Sequence, residues 1–195
     1  MTLVTHPDGK KRCLWANPKN PAYVRYHDTE WGVPVRDDRL LFEFLVLESF
    51  QAGLSWEIVL NKRAGFERAF AKFDPKKVAR FTEKDTQRLK TDASIIRNEA
   101  KIRAAVNNAQ RFLEVQKEYG SFAAYQWGWT KGKTIKNRWR DIKELPAKTP
   151  LSDAIAADLK KRGFKFLGST VIYAHLQATG VIDDHLVGCW RKRTR

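Results

Sequence analysis

Residues 159–180, LKKRGFKFLGSTVIYAHLQATG, decide the fold of this chain. Two helical stretches flank a short turn bounded by Gly163 and Gly168, and glycine permits tight turns that other residues resist. The backbone N–H groups that open the second helix carry partial positive charge, so a phosphate can bind there. The pattern predicts a helix-hairpin-helix element that grips the DNA backbone without reading bases. Its candidate DNA-binding residues are Lys160, Lys161, Arg162, Lys165 and Gly168.

An ordinary helical hairpin with solvated lysines is the alternative for this segment, and the charge clustered at the turn favours DNA binding.

Sequence signals for helices continue on both sides of this segment. A helix over about 39–52 is capped by Asp37 or Asp38 and ended by Gly53, and Ser152 or Asp153 can cap the helix that leads into the turn. Because period-two alternation is scarce, the predicted fold class is all-α. The further predicted helices span about residues 76–81, 98–119 and 169–179, and residues 128–150 are predicted to be loop with one short helical turn.

Composition points to a polyanionic partner. The 195 residues carry 37 Lys plus Arg against 22 Asp plus Glu, a net charge of +15. Nucleic acid is the first candidate, and a merely basic soluble surface is the alternative. The seven tryptophans fit stacking on bases, although each one taken singly also suits a core.

The organisation of the chain follows from the same features. The apolar runs are too short to cross a membrane, and residues 1–12 lack the apolar core of a secretory signal, so a cytoplasmic protein without a membrane partner is expected. We expect a flexible extension over residues 1–12, one unit over 13–190 and a basic tail over 191–195.

The two cysteines each lie near a histidine, as Cys13-x13-His27 and His185-x3-Cys189. Two thiols and two imidazoles are the ligand set of a closed tetrahedral zinc site, which would be structural because it leaves no position for water. His185 and Cys189 would share one face of a helix if that segment is helical. Two buried thiols with two hydrogen-bonded histidines are an equally open alternative, whereas a disulfide is disfavoured because nothing indicates an oxidising compartment.

A candidate pocket lies at the end of the helix predicted over 39–52. This helix is apolar almost all round, so it is buried, and Glu43 and Glu48 interrupt it. Glu48 is the candidate because it lies near the segment QAGLSW, residues 51–56, which adds a tryptophan plane and a flexible glycine. A carboxylate beside an aromatic plane suits a flipped, cationic base. The alternative is a salt bridge between Glu48 and a lysine or arginine.

Four segments carry a resemblance to a known family. They are RYHDTEWGVP at 25–34, LESFQAGLSW at 47–56, LKKRGFKFLGST at 159–170 and DDHLVGC at 183–189. Together they resemble, in order, the signature segments of the 3-methyladenine DNA glycosylase I family, over nearly the whole chain from Cys13 to Cys189. The resemblance implies an all-α helix-hairpin-helix glycosylase that flips a cationic 3-methyladenine out of alkylated double-stranded DNA, hydrolyses its glycosidic bond and leaves an abasic site.

The resemblance also assigns residue roles. It implies that Glu48 hydrogen-bonds the damaged base, and that Thr170 stands where related enzymes carry a Schiff-base lysine, so lyase activity is not expected. Asp184 is expected to orient His185, and the protein is expected to be a monomer. Two departures are Ser49, where the family often has glycine, and His175, which we interpret as a core or surface histidine. By resemblance the zinc ligands are Cys13, His27, His185 and Cys189, the pocket aromatics are Tyr26, Trp56, Trp15 and Trp31, and the loop that fills the gap in the duplex is Gly53 with Leu54.

Two rival functions remain open at this point. The charge and the hairpin equally suit a non-catalytic zinc-containing DNA-binding protein, and the tryptophans suit a base-stacking RNA-binding module. Release of methylated base from DNA separates the enzyme from both.

Overall fold

The structure, a computed structural model, describes residues 3–192. Over this range the chain is mostly helical, as predicted, and adds two small two-stranded sheets that were not predicted. Among the described residues no helix is both long and apolar enough to pass through a lipid bilayer. The helices are α1 Pro21–Thr29, α2 Asp38–Gln51, α3 Trp56–Asn61, α4 Arg63–Ala69, α5 Pro75–Val78, α6 Glu83–Thr91, α7 Glu99–Tyr119, α8 Phe122–Gly128, α9 Pro150–Lys161 and α10 Ser169–Ala178.

Helix α2 is the central helix of the hydrophobic core. Asp37 caps it, because its side chain accepts a hydrogen bond from the Leu40 amide at 2.8 Å. Its residues are buried from Leu41 to Phe50 with the exception of the half-buried Glu43, which confirms the prediction of a helix without a polar face. α2 contacts α3, α7, α8 and α10, so side chains on several of its faces are enclosed by other helices.

Residues 159–180 form the end of α9, a turn and α10, and the two helices pack against each other. Gly163 adopts a φ of +88°, which explains why glycine ends α9. The predicted cap of α9, Ser152 or Asp153, was wrong by three or four residues. Thr149 is the cap, and its side chain and that of Ser152 exchange hydrogen bonds with each other's backbone amides, while Pro150 occupies the first helical position.

The two sheets join distant parts of the chain. β1 (Leu3–Thr5) pairs antiparallel with β2 (Lys11–Cys13), so a hairpin occupies most of the segment that was expected to be a flexible extension. Arg12 holds this hairpin in place, since its guanidinium bonds both Asp8 and Asp28. β3 (Ile135–Lys136) pairs in parallel with β4 (Ile182–Asp183) and brings the basic loop predicted over 128–150 against the C-terminal segment.

The ends of the chain are only partly described. Within the predicted basic tail, Lys192 Nζ donates to the Asp183 carbonyl at 3.1 Å. The rest of that tail, residues 193–195, and the first two residues of the predicted N-terminal extension lie outside the described residues.

Candidate active site

A cavity of about 190 Å³ opens beside the C-terminal half of α2. Sites for drug-sized ligands start at roughly 300 Å³, so this cavity is sized for a small planar group such as a single base. All five residues predicted to face the base line it, which brings residues far apart in the sequence to one place. The lining consists of Trp15, Tyr23, Tyr26, Trp31, Glu48, Gln51, Trp56, Leu145, Ala174 and Gln177.

Glu48 is a buried acid that meets no cation among residues 3–192. Its side chain is 3% exposed, and Oε2 has no hydrogen-bond partner among the described residues. Burial raises the pKa of Glu48 to about 8 from an ordinary 4.5, because the ionised form loses its hydration. The alternative of a salt bridge is wrong for Glu48 and right for Glu43, which accepts a hydrogen bond from Arg63 Nε at 2.6 Å.

Aromatic rings surround this carboxyl group. The Tyr26 and Trp56 rings lie 5.2 Å apart between centroids and are tilted by 47°. Trp15 meets Trp31 edge to face at 4.9 Å. The Trp56 indole N–H is buried and also lacks a partner among the described residues. An unpaired acid, an unpaired donor and flat ring faces are the groups that recognise a planar heterocycle.

The segment between Gln51 and Trp56 forms the rim of the cavity, since both of these residues line it. Gly53 has a φ of +83°, and a Cβ built there would meet no atom within 4 Å, so the backbone stands clear of the protein. Leu54 follows it and is 40% exposed. The two residues predicted to enter a DNA duplex therefore project beside the pocket.

The predicted metal ligands converge from both ends of the chain. The ligand atoms of Cys13, His27 and Cys189 lie within 4.8 Å of one another. The pKa of Cys189 lies below its ordinary value, since Cys13 and His27 hydrogen-bond its sulfur, and a thiolate is the form that binds metal. The His185 ring lies 5.1 Å from that of His27, and its Nε2 is buried without a partner among the described residues. Cys13, His27 and Cys189 thus form a possible metal-binding group, His185 lies beside it, and thiol and imidazole donors suit a metal ion.

Both histidines are held by carboxylates through the opposite ring nitrogen. His27 Nδ1 lies 2.8 Å from Asp28 Oδ1, and His185 Nδ1 lies 2.9 Å from Asp183 Oδ1. This arrangement leaves each Nε2 available to a metal. The expectation that Asp184 orients His185 was wrong, because Asp183 accepts from the His185 amide as well as lying against its ring. Residues 184–189 contain no helix, so His185 and Cys189 do not share a helix face.

Asp184 binds other residues. It is 1% exposed and accepts hydrogen bonds from four side chains, which join the loop before α9, helix α10 and the C-terminal segment. The donors are Asn137, Trp139, Tyr173 and Gln177.

The candidate metal ligands and the cavity share a wall. Trp15 packs edge to face on His27 at 5.0 Å, and Trp31 packs on His185 at 4.6 Å. Gly32 lies against the same ring, and a Cβ built there would approach His185 Cε1 to 2.9 Å. Anything that fixes the two histidines therefore also fixes two of the aromatic side chains of the cavity.

The helical hairpin formed by α9, the turn and α10 carries four predicted DNA-binding basic side chains. Three of them, Lys160, Lys161 and Lys165, are exposed to solvent. Arg162 differs, because its guanidinium donates to Asp158 and Glu118 within the protein. Arg162 therefore holds the end of α9 to α7, and its guanidinium group is occupied within the protein. Gly168 precedes α10, whose first turn has no side-chain cap.

The sequence interpretation missed several lining residues. Ala174 and Gln177 are three apart on α10 and so share a face, a spacing that could have suggested them once the helix was predicted. Leu145 lies in the basic loop and offered no signal.

The two residues that depart from the family pattern, His175 and Ser49, are buried and make hydrogen bonds inside the protein. His175 Nε2 lies 2.7 Å from Gln126 Oε1, and Ser49 donates to the Val46 carbonyl.

Comparison with solved structures identifies the class of protein to which this fold belongs. A crystal structure of a 3-methyladenine DNA glycosylase I superposes with a TM-score of 0.90 at 43% identity, covering 93% of this chain and 100% of that one. A further structure of such an enzyme, a variant in complex with 3-methyladenine, superposes with a TM-score of 0.88 at 38% identity, covering 91% and 95%. In fold the chain is a helical DNA glycosylase.

The sequence comparisons name the family. The model of the methyladenine glycosylase family matches residues 15–192. The DNA-3-methyladenine glycosylase 1 of Escherichia coli (strain K12) is 44% identical over 179 residues, which are 92% of this chain and 95% of that protein. The chain belongs to the methyladenine glycosylase family, as its signature segments predicted.

Proposed function

We propose that this protein hydrolyses the N-glycosidic bond of 3-methyladenine in alkylated double-stranded DNA and leaves an abasic site, as a step of base excision repair. The observation that carries the proposal is the buried carboxyl group of Glu48, whose Oε2 has no partner within residues 3–192, inside an aromatic cavity of single-base size. The substrate named for its relatives supports it, because those proteins act on 3-methyladenine.

The chemistry of the lesion explains why such a cavity selects it. Methylation at N3 makes the purine of the nucleotide cationic, while undamaged adenine is neutral. Opposite charges about 4 Å apart attract by roughly 4 kcal/mol at the effective dielectric constant of a protein. Glu48 would therefore favour the cation over adenine, and the approach of the cation would in turn lower the pKa of Glu48 from about 8 and favour the carboxylate.

The same charge weakens the bond that breaks. When the bond from the sugar C1′ to the purine N9 opens, its electron pair neutralises the ring, so the base departs without protonation by an acid. Water adds to C1′ and releases a proton to solvent. The protein must flip the nucleotide, exclude the wrong base and admit water, which is the task of a base-flipping enzyme. Trp56 and Tyr26 would hold the flipped ring, with Trp15 and Trp31 as the supporting wall.

The geometry around the turn between α9 and α10 supports a DNA-facing surface there. The amides at the start of α10, next to Gly168, would donate hydrogen bonds to a phosphate, and the exposed Lys160, Lys161 and Lys165 would add charge that is not specific for sequence. Leu54 would enter the space that the flipped base vacates. Thr170 cannot form a Schiff base, so we propose a monofunctional glycosylase without strand cleavage.

Cys13, His27, His185 and Cys189 would together hold a structural zinc ion. Four protein ligands leave no position for water, so the ion would supply cross-linking and no catalysis. This cross-link would tie β2 to the C-terminal segment and, through Trp15 and Trp31, stiffen the cavity.

The test is release of base from methylated duplex DNA. We expect the purified protein to liberate 3-methyladenine, detected by chromatography, without forming a borohydride-trapped adduct. Glu48→Gln should reduce release strongly, whereas Glu43→Gln, a matched change on the same helix, should not. If DNA is bound but no base is released, the protein is a non-catalytic DNA-binding protein and the proposal fails.

A further inference from the structure

A buried lysine lies under the loop that forms the rim of the cavity. Lys101, on α7, is 7% exposed and donates from Nζ to the carbonyls of Phe50 at 2.9 Å and Ala52 at 2.5 Å. Among the described residues it makes no ion pair. Burial lowers the pKa of Lys101, as expected of a cation removed from water. A lysine is rarely buried without a carboxylate partner, so the burial of Lys101 needs a structural explanation.

The contacts of Lys101 replace a missing helix cap. Helix α2 ends at Gln51, and at Ala52 the backbone leaves the helix at a ψ of 116°. The last carbonyls of a helix have no partner within it. Lys101 satisfies that of Phe50 and also binds the carbonyl of Ala52, the residue after the helix, while the Leu54 amide satisfies that of Gln51 at 2.6 Å. A cation is also favourable at the negative end of the helix dipole.

The loop has little else to hold it. Gly53 would meet no atom within 4 Å even with a Cβ, and Leu54 is 40% exposed. The base pocket, in contrast, is held independently, because Glu48 lies in the buried body of α2 and Trp56 begins α3 behind its own cap, Ser55. Losing the Lys101 contacts should therefore affect the loop more than the pocket.

We propose that Lys101 is a positioning residue that holds the loop 52–54 in the conformation described above, with Leu54 exposed beside the cavity and able to enter the DNA duplex. The inference rests on the proposed function and adds to it a residue that touches neither base nor sugar. It separates two events, insertion of the loop into the duplex and binding of the base, and assigns Lys101 to the first.

The experiment compares duplex substrate with free base. Lys101→Met removes the donor and keeps the length of the side chain, and Lys117→Met on the exposed face of α7 is the control. We expect kcat/KM on alkylated duplex DNA to fall about 10- to 100-fold, as for a misplaced positioning group. The Kd for free 3-methyladenine, read from tryptophan fluorescence, should stay within about twofold, since it reports only on the pocket.

A double-mutant cycle with Leu54→Ala tests the route of the effect. If Lys101 acts through the loop, the loss in the double variant should be far smaller than the product of the two single losses. The inference is overturned if the loss of kcat/KM in the double variant equals the product of the two single losses. It is also overturned if Lys101→Met leaves kcat/KM unchanged, or if it lowers the affinity for free base as much as it lowers kcat/KM. If the methionine variant does not fold, Lys101→Gln retains one donor group, and the same duplex-specific loss, smaller in size, is required of it.

Failure of the inference and failure of the proposed function give different results. If the parent protein releases no base, the proposed function is refuted. If the parent protein and Lys101→Met release base equally fast, only the assignment of Lys101 is refuted.

Discussion

Replacing Glu48 by glutamine should stabilise the protein while it removes most of the activity. The carboxyl group is 3% exposed, and burial raises its pKa to about 8 from an ordinary 4.5. Between these two values the folded chain must keep a proton that the unfolded chain releases. The stability contributed by the neutral acid is thus complete below pH 4.5 and is lost as the pH rises through about 8.

The magnitude follows from the width of that window. Each unit of displaced pKa corresponds to about 1.36 kcal/mol, so at pH 7 the ionisable group lowers the free energy of unfolding by about 3 kcal/mol. At pH 5 the same penalty is below about 1 kcal/mol. Glutamine cannot ionise, so the difference between Glu48→Gln and the parent protein should grow by about 2 to 3 kcal/mol from pH 5 to pH 7.

Urea unfolding at pH 5, 6, 7 and 8 measures this difference directly. Groups common to both proteins, such as the buried His175 with its lowered pKa of about 3, cancel in the comparison. Glu83→Gln on α6 is the control, because hydrogen bonds from Arg103 hold the pKa of Glu83 below its ordinary value, so its variant should not show a growing gain. A difference between Glu48→Gln and the parent protein that stays constant across this range would refute the reasoning, since it would mean that the carboxyl group is not desolvated.

Three further outcomes are expected. Cys189→Ser should lose bound zinc, measured by elemental analysis, and lower the melting temperature, and an unchanged melting temperature would show that the metal is not structural. Gly32→Ala should have the same effect in milder form, because a Cβ there would approach His185 to 2.9 Å at a φ of +76°; full metal content with unchanged stability would contradict it. Lys165→Ala should weaken binding to undamaged duplex DNA and flatten its dependence on salt, whereas Lys84→Ala on α6 should change neither; equal effects would remove the hairpin from the DNA interface.

The helices were predictable because their signals are local. Asp37 caps α2 and Asn98 caps α7 through side-chain hydrogen bonds to amides three residues ahead, and such pairs are visible in the sequence. The hairpin β1–β2 and the pairing of β3 with β4 were missed, because strands of two or three residues give no alternation to recognise.

The site was predictable in part. Adjacent acids illustrate the limit, since Asp183 and Asp184 are equivalent in sequence, and only the turn at residues 183–185 directs Asp183 to His185. The same holds for Arg162, which is one of four clustered cations in the sequence and is occupied by Glu118 and Asp158 in the fold.

The sequence by itself determined the helical class, the buried helix with two acids and the identity of the four metal-ligand candidates, because composition, periodicity and motif order are properties of the chain. Only the tertiary structure decided that Glu43 meets Arg63 while Glu48 meets no cation in the described part of the chain, and that Lys101 caps a helix some fifty residues away. The reason is physical: desolvation and pairing depend on which distant atoms surround a group, and that is set by packing.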